Sequence, residues 1–114
     1  MEQNESYTVE FLPEALGDMT EIVSAFVMLG SKQGARRIRT KMLKAAEQVG
    51  TFPYSGVTVP DEKLARSGFR MMVAEKYLML YRIFEDEKKV IFYRVFNGTL
   101  NYPSLMGRLA EDKK

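Results

Sequence analysis

Residues 69–96 decide the fold, and they read FRMMVAEKYLMLYRIFEDEKKVIFYRVF. Three runs in this stretch, 69–74, 77–84 and 90–96, are rich in the β-branched and aromatic residues that strands favour. The polar segments between the runs are short enough for hairpin turns. The stretch therefore predicts three consecutive antiparallel strands.

One strand and two helices are predicted upstream. Residues 7–11, YTVEF, alternate apolar and polar side chains, which is typical of a half-buried strand. Pro13 suits a first helical turn, and apolar residues then recur at steps of three and four until Gly30, which suits a helix end. Ser31 is a suitable cap for a second helix that ends at Gly50. Because only a few residues join them, the two helices are expected to form an antiparallel hairpin.

The order β-α-α-β-β-β predicts an α+β fold in which a helical hairpin packs on one face of a small antiparallel sheet. At 114 residues the chain has the size of one domain, and we expect a single domain over 1–114. Residues 50–68 contain three glycines and two prolines, so they are predicted to be a long, mostly irregular connection. Such loops are often functional.

Composition excludes several kinds of site. The chain has no cysteine and no histidine, which excludes disulfides, a thiol nucleophile, a histidine base and histidine-containing zinc sites. No apolar run is long enough to span a membrane, and the acidic, polar start does not resemble a secretory signal. We therefore expect a cytoplasmic protein without a membrane segment.

Charge is strongly partitioned along the chain although the net charge is only +2. Residues 1–21 carry six acids and no base, whereas residues 22–46 carry six bases and no acid. The six bases are Lys32, Arg36, Arg37, Arg39, Lys41 and Lys44. This pattern favours a basic surface for phosphates or for an acidic protein partner, and a simply solvated helix face is the alternative.

Three arginines interrupt the predicted strands. Arg70, Arg82 and Arg94 each stand among apolar neighbours. A charged side chain in that position must extend to solvent, pair with an acid or line a functional surface. Because the helices cover one face of the sheet, we expect the arginines to lie on the open face.

Several short motifs, taken in order, resemble the RelE/ParE superfamily of type II toxin–antitoxin toxins. They are YTVEFLPEA, the Phe52-Pro53 pair, GFRMMVAEKYLMLYRI and IFYRVFNGTLNYPSLM, and together they extend over residues 7–106. The resemblance implies a RelE/ParE-like fold and a cognate antitoxin as partner. RelE-like members cut mRNA on the ribosome, whereas ParE-like members inhibit DNA gyrase.

The first interpretation that the resemblance implies is a toxin that cuts mRNA on the ribosome. Its partners would be the ribosome and mRNA, and it would use no metal or organic cofactor. A non-enzymatic inhibitor of DNA gyrase is the alternative, and an inactive partner-binding protein is a third possibility. The residues 97–101 before Tyr102 are neutral, whereas nuclease members often carry bases or histidine there. This departure weakens the nuclease interpretation.

The resemblance also implies site residues. Arg70 and Arg94 would clamp the phosphate, because a guanidinium group is permanently charged and matches phosphate geometry, and Tyr102 would stack on a base or handle a proton. Further candidates for RNA binding are Lys63, Arg66 and Arg82, and Glu62 is a candidate acid or base. The alternatives are that Arg70 and Arg94 pair with carboxylates such as Glu75 or Glu85, that Tyr102 packs, and that the loop charges are solvated.

Overall fold

The computed structural model describes residues 6–98, in which two long helices pack on a five-stranded mixed sheet. The elements are β1 (Thr8–Phe11), α1 (Pro13–Met28), α2 (Lys32–Thr51), a 3-10 turn (Pro53–Ser55), β2 (Val57–Thr58), α3 (Glu62–Arg66), β3 (Phe69–Ala74), β4 (Tyr77–Phe84) and β5 (Lys89–Asn97). The strands lie in the order β1-β5-β4-β3-β2. The predicted α+β class is confirmed. In the described part of the chain, no helix is both long enough and apolar enough to span a membrane.

The helical hairpin is built by the predicted end signals. Pro13 opens α1, and Gly30 follows its end with a φ of +85°, a left-handed conformation that favours glycine. The hydroxyl of Ser31 caps α2 by accepting the backbone N–H of Gly34 at 2.9 Å. Gly50 does not end α2, which continues to Thr51. A side chain at Gly50 would lie 2.8 Å from Val9 Cγ2, so this glycine permits close packing on β1.

The three central strands form the predicted meander, and the predicted bounds of β3 and β4 are those observed. The sheet differs from the prediction because β1 pairs with β5 in parallel, from Thr8 opposite Lys89 to Phe11 opposite Phe92. Local sequence specifies the hairpins of the meander. It does not specify the direction in which a strand from the far end of the chain joins the open edge of β5.

A bulge in β5 changes which side chains face the helices. Tyr81 is opposite Phe92, but Leu80 is opposite Arg94, so Tyr93 is an extra residue on β5. Beyond the bulge Val95 joins the core beneath the helices. A regular strand would place Phe92 and Arg94 on the same face, but the bulge puts them on opposite faces.

Two cores lie on the two faces of the sheet. The larger core joins the sheet to α1 and α2, and the smaller one lies on the opposite face. The buried members of the smaller core are Val59, Leu64, Phe69, Met71 and Leu80. Val59 and Leu64 of this core come from the connection 50–68, which covers the core on its outer side. In this connection Asp61 caps α3 by accepting the backbone N–H of Leu64 at 3.1 Å. The face that was expected to be open is thus partly covered.

Candidate functional site

Arg94 lies on the part of β5 that β1 does not cover. β1 pairs with β5 only as far as Phe92. Beyond it, Asp18 of α1 accepts the backbone N–H of Val95 at 2.9 Å. The same carboxylate accepts Nε and Nη2 of Arg94 at 2.8 and 3.0 Å. This bidentate pair joins α1 to the edge of the sheet.

The surroundings of Arg94 are acidic. The hydrogen bond to Asp18 raises the pKa of Arg94, partial burial lowers it, and the charges of Asp18, Glu14 and Glu21 raise it further. The Asp18 side chain is only 17% exposed, and that of Arg94 is 39% exposed. An incoming phosphate would therefore meet three carboxylates as well as a guanidinium group that is already hydrogen-bonded.

Arg70 holds the turn that follows α2. Its Nη2 donates to the carbonyl oxygens of Tyr54 and Gly56 at 3.2 and 2.7 Å, and its guanidinium carbon lies 5.3 Å from the centroid of the Tyr54 ring. Its Nε is buried and has no hydrogen-bond partner within residues 6–98. The contacts of Arg70 thus connect β3 to the backbone of residues 54–56.

Tyr81 is the second anchor of this turn, and its side chain is fully buried. Its hydroxyl donates to the carbonyl oxygen of Pro53 at 2.6 Å and accepts the backbone N–H of Gly56 at 3.1 Å. Burial raises the pKa of Tyr81, and the Gly56 hydrogen bond and the charge of Arg70 partly offset that rise. A side chain at Gly56 would lie 2.4 Å from the Met71 carbonyl oxygen, so the turn requires glycine.

The structure does not bring Arg70 and Arg94 onto one face. Arg70 is opposite Tyr81, which lies in the core beneath the helices, whereas Arg94 is opposite Leu80, which lies in the smaller core. The expectation that the strand arginines share the open face is wrong for Arg70. Apolar residues occur on both faces of these strands, so the sequence shows the alternation but not which set faces the helices.

Arg82 does lie on the face opposite the helices, opposite Phe69 in the register. Its Nε donates to the carbonyl oxygen of Ser67 at 2.8 Å, at the end of α3. Its guanidinium carbon lies 4.7 Å from the centroid of the Phe84 ring and 5.7 Å from that of Phe69. The side chain is thereby fixed between two aromatic rings.

The charged candidates on α3 are exposed. Arg66 lies 3.8 Å from Glu62 in an ion pair one helical turn apart, and Lys63 is exposed on the same helix. Such a pair contributes little to stability. Tyr102 lies outside the described residues. Within those residues, no three Asp, Glu, His or Cys side chains are grouped so that they would hold a metal ion.

Two clusters were not predicted from sequence. The carboxylate of Glu85 accepts hydrogen bonds from the hydroxyls of Tyr7, at 2.9 Å, and Tyr54, which joins the β4–β5 hairpin to the start of β1 and to the 3-10 turn. Arg37 pairs with Glu75 at 2.9 Å, and this contact joins α2 to the β3–β4 hairpin. These contacts connect residues 31 to 78 positions apart, so no local pattern predicts them.

A basic groove lies between α2 and β3. It measures about 660 Å³, and α2 lines it with Arg36, Arg37, Lys41 and Lys44. β2 pairs only with Arg70 and Met71, so no described strand covers the outer edge of β3 from Met72 to Ala74. The groove therefore combines a cationic wall with an open strand edge.

Comparisons with known proteins place these features in a family. A family model described as the ParE toxin of type II toxin-antitoxin system, parDE, matches residues 9–102. Among solved structures, the chromosomal ParDE system of P. aeruginosa matches with a TM-score of 0.65 and 16% identity, over 81% of this chain and 96% of that chain. The RelBE2 toxin–antitoxin complex of Mycobacterium tuberculosis matches with a TM-score of 0.62 and 21% identity, over 85% of this chain and 97% of that chain. No curated protein sequence matches. The predicted RelE/ParE-like fold is confirmed.

Proposed function

The chain belongs to the ParE toxin family of type II toxin–antitoxin systems, and we propose that it acts as a non-enzymatic inhibitor of DNA gyrase. The family match confirms that the chain is a RelE/ParE superfamily toxin, as its short motifs predict. The finer proposal concerns the target. The resemblance in sequence favours ribosome-dependent mRNA cleavage first. We propose inhibition of DNA gyrase, its alternative, instead.

The position of Arg94 carries this proposal. A phosphate clamp requires cationic groups that converge on one anion and are free to bind it. Arg94 is instead held by Asp18 among carboxylates. Arg70 lies on the other face of the sheet with its Nη2 on two backbone carbonyl groups. Both arginines contribute to the fold, which supports an activity that does not depend on them as a clamp.

We propose a cognate antitoxin as the partner that neutralises the toxin, as the sequence predicted. The groove beside α2 suits an extended acidic segment, because its wall is cationic and no strand within residues 6–98 pairs with the outer edge of β3 from Met72 to Ala74. Val73 on that edge is 51% exposed and would contact an apolar side chain of the segment. The antitoxin would therefore cover the basic face of the second helix.

We further propose that residues 1–114 form one toxin domain and that it acts in the cytoplasm, where gyrase and the chromosome are found. Supercoiling by purified gyrase tests the target directly. We expect the purified chain to abolish supercoiling and, in a cell-free translation reaction, to leave the mRNA intact.

The controls separate the two activities. Arg94→Lys keeps the charge but alters the bidentate contact, so a folded Arg94→Lys protein should inhibit gyrase as the wild type does. Cuts in translated mRNA that disappear in Arg94→Lys would instead establish the nuclease. Gyrase that continues to supercoil DNA at saturating toxin would overturn the proposal.

A further inference from the structure

The cations of α2 remain largely unneutralised in the folded protein. All six basic residues of this helix are exposed. Arg37 pairs with Glu75, and within residues 6–98 the other five form no ion pair. Glu14, Asp18 and Glu21, the acids of α1, act on Arg94 at the far edge of the sheet. The acids of α1 therefore act on the edge of the sheet and not on the bases of α2.

These cations lie on both flanks of α2. On the flank beside the sheet, Arg37, Lys41 and Lys44 line the basic groove. On the flank beside α1, Arg39 lines two smaller grooves of about 270 and 300 Å³. Among residues 6–98, no acid lines either of these smaller grooves. α2 carries one exposed acid, Glu47, and six exposed bases, so it is a mainly cationic ridge with a groove on each side.

Uncharged polar groups stand between the cations. Gln33, Thr40 and Gln48 line the sheet-side groove together with the bases and with Glu75, the acid that pairs with Arg37. Arginine, lysine, glutamine and threonine are side chains that bind phosphate and sugar oxygens of nucleic acids. The composition of the ridge is therefore that of a surface for a nucleic-acid backbone.

We propose that α2 lies along the major groove of duplex DNA and binds phosphates of both strands. An α-helix with its side chains is about 10–12 Å wide, and the major groove of B-DNA is about 12 Å wide. Cations on opposite flanks of a helix in that groove face opposite strands. An acidic peptide in the sheet-side groove would meet only one of the flanks. This inference rests on the proposed function, because gyrase acts on duplex DNA, and it adds a DNA contact to the toxin's action.

The binding has a defined salt dependence. Each phosphate contact releases condensed counterions and contributes about −0.9 to the slope of log K against log salt concentration. If the five basic side chains of α2 that form no ion pair within residues 6–98 each contact a phosphate, the slope of log K against log salt concentration would be about −4 to −5. Backbone contacts carry little sequence information, so binding is expected to depend weakly on the sequence of the duplex.

Two single variants test the two flanks. Arg39→Gln removes a cation beside α1, and Lys41→Gln removes one beside the sheet. We expect each to weaken binding of a short labelled duplex, measured by fluorescence anisotropy, and to reduce the salt slope by about one. Lys88→Gln is the matched control, because Lys88 is an exposed basic residue that lies on the β4–β5 hairpin and not on α2. It should leave the slope unchanged. Circular dichroism confirms that each variant is folded.

Three results would overturn the inference. One is wild-type DNA binding by Arg39→Gln together with a loss in Lys41→Gln, which would show that DNA contacts only the sheet-side flank and that α2 does not lie in the major groove. Another is equal affinity for duplex RNA, whose deep, narrow major groove does not admit a helix. The third is a folded wild-type protein that does not bind DNA at low salt. If binding depends on both flanks but purified gyrase is not inhibited, the DNA contact stands and the gyrase proposal fails.

Discussion

Replacing Tyr81 with phenylalanine removes one hydroxyl from the centre of the sheet and leaves the ring in place. The hydroxyl donates to the Pro53 carbonyl oxygen at 2.6 Å and accepts the Gly56 N–H at 3.1 Å. Both bonds are buried, so the substitution leaves an acceptor and a donor without a partner. At about 1 kcal/mol for each bond, the free energy of unfolding should fall by about 2 kcal/mol. For a chain of this size the melting temperature should fall by about 10 °C.

Urea unfolding measures this loss, provided that the m-value stays constant. Tyr7→Phe is the matched control, since it removes a hydroxyl whose bond to Glu85, at 2.9 Å, is exposed. It should change the free energy of unfolding by less than about 0.5 kcal/mol. Equal losses in the two variants, or no loss in Tyr81→Phe, would refute the argument that Tyr81 anchors the 3-10 turn.

The pair of Arg94 and Asp18 should show a coupling of about 1 kcal/mol in a double-mutant cycle of Arg94→Gln and Asp18→Asn, and additive losses in urea unfolding would contradict the contact. Gly56→Ala should destabilise the protein by about 1–3 kcal/mol, because the added methyl group meets the backbone carbonyl of β3. An alanine side chain at Gly17, within α1, would meet open space, so Gly17→Ala should stabilise the protein by about 0.5–1 kcal/mol. Thermal unfolding tests both glycine variants. Effects of the same sign would refute the argument that only Gly56 is required for packing. Because burial raises the pKa of Tyr81, its contribution to stability should be complete below about pH 10 and be lost as the pH rises through the folded-state pKa. Unfolding measured across alkaline pH should therefore show a loss that Tyr81→Phe lacks, and identical pH profiles would exclude this linkage.

The elements that depend on neighbouring residues were predictable from sequence. The observed β3 and β4 have the predicted bounds, since runs of strand-forming residues end at polar turns. Ser31 caps α2 as predicted, because a cap is a contact between residues three apart. The bulge at Tyr93 was not predictable, because it exists only in the pairing of two strands. It also decides which face Arg94 occupies.

The candidate site was less predictable than the fold because its contacts are distant in sequence. The sequence allowed Arg94 to pair with a carboxylate, but it suggested Glu75 or Glu85 as partners. The observed partner is Asp18, 76 positions away. Glu75 and Glu85 bind other groups, the former Arg37 and the latter two tyrosines. The residue types therefore indicated the kind of contact, whereas only the folded chain selects the partner.

The two proposals for α2 have a common electrostatic consequence. The net charge of +2 gives little indication of the field at this helix, because the three acids of α1 act on Arg94 and not on the bases of α2. A duplex and an antitoxin segment would both use Lys41 and Lys44 on the sheet-side flank. Binding of one must then weaken binding of the other by the same factor, because coupling between two ligands is reciprocal. An antitoxin that fills only the sheet-side groove would remove the toxin's contact with one DNA strand, and it would do so without contacting gyrase.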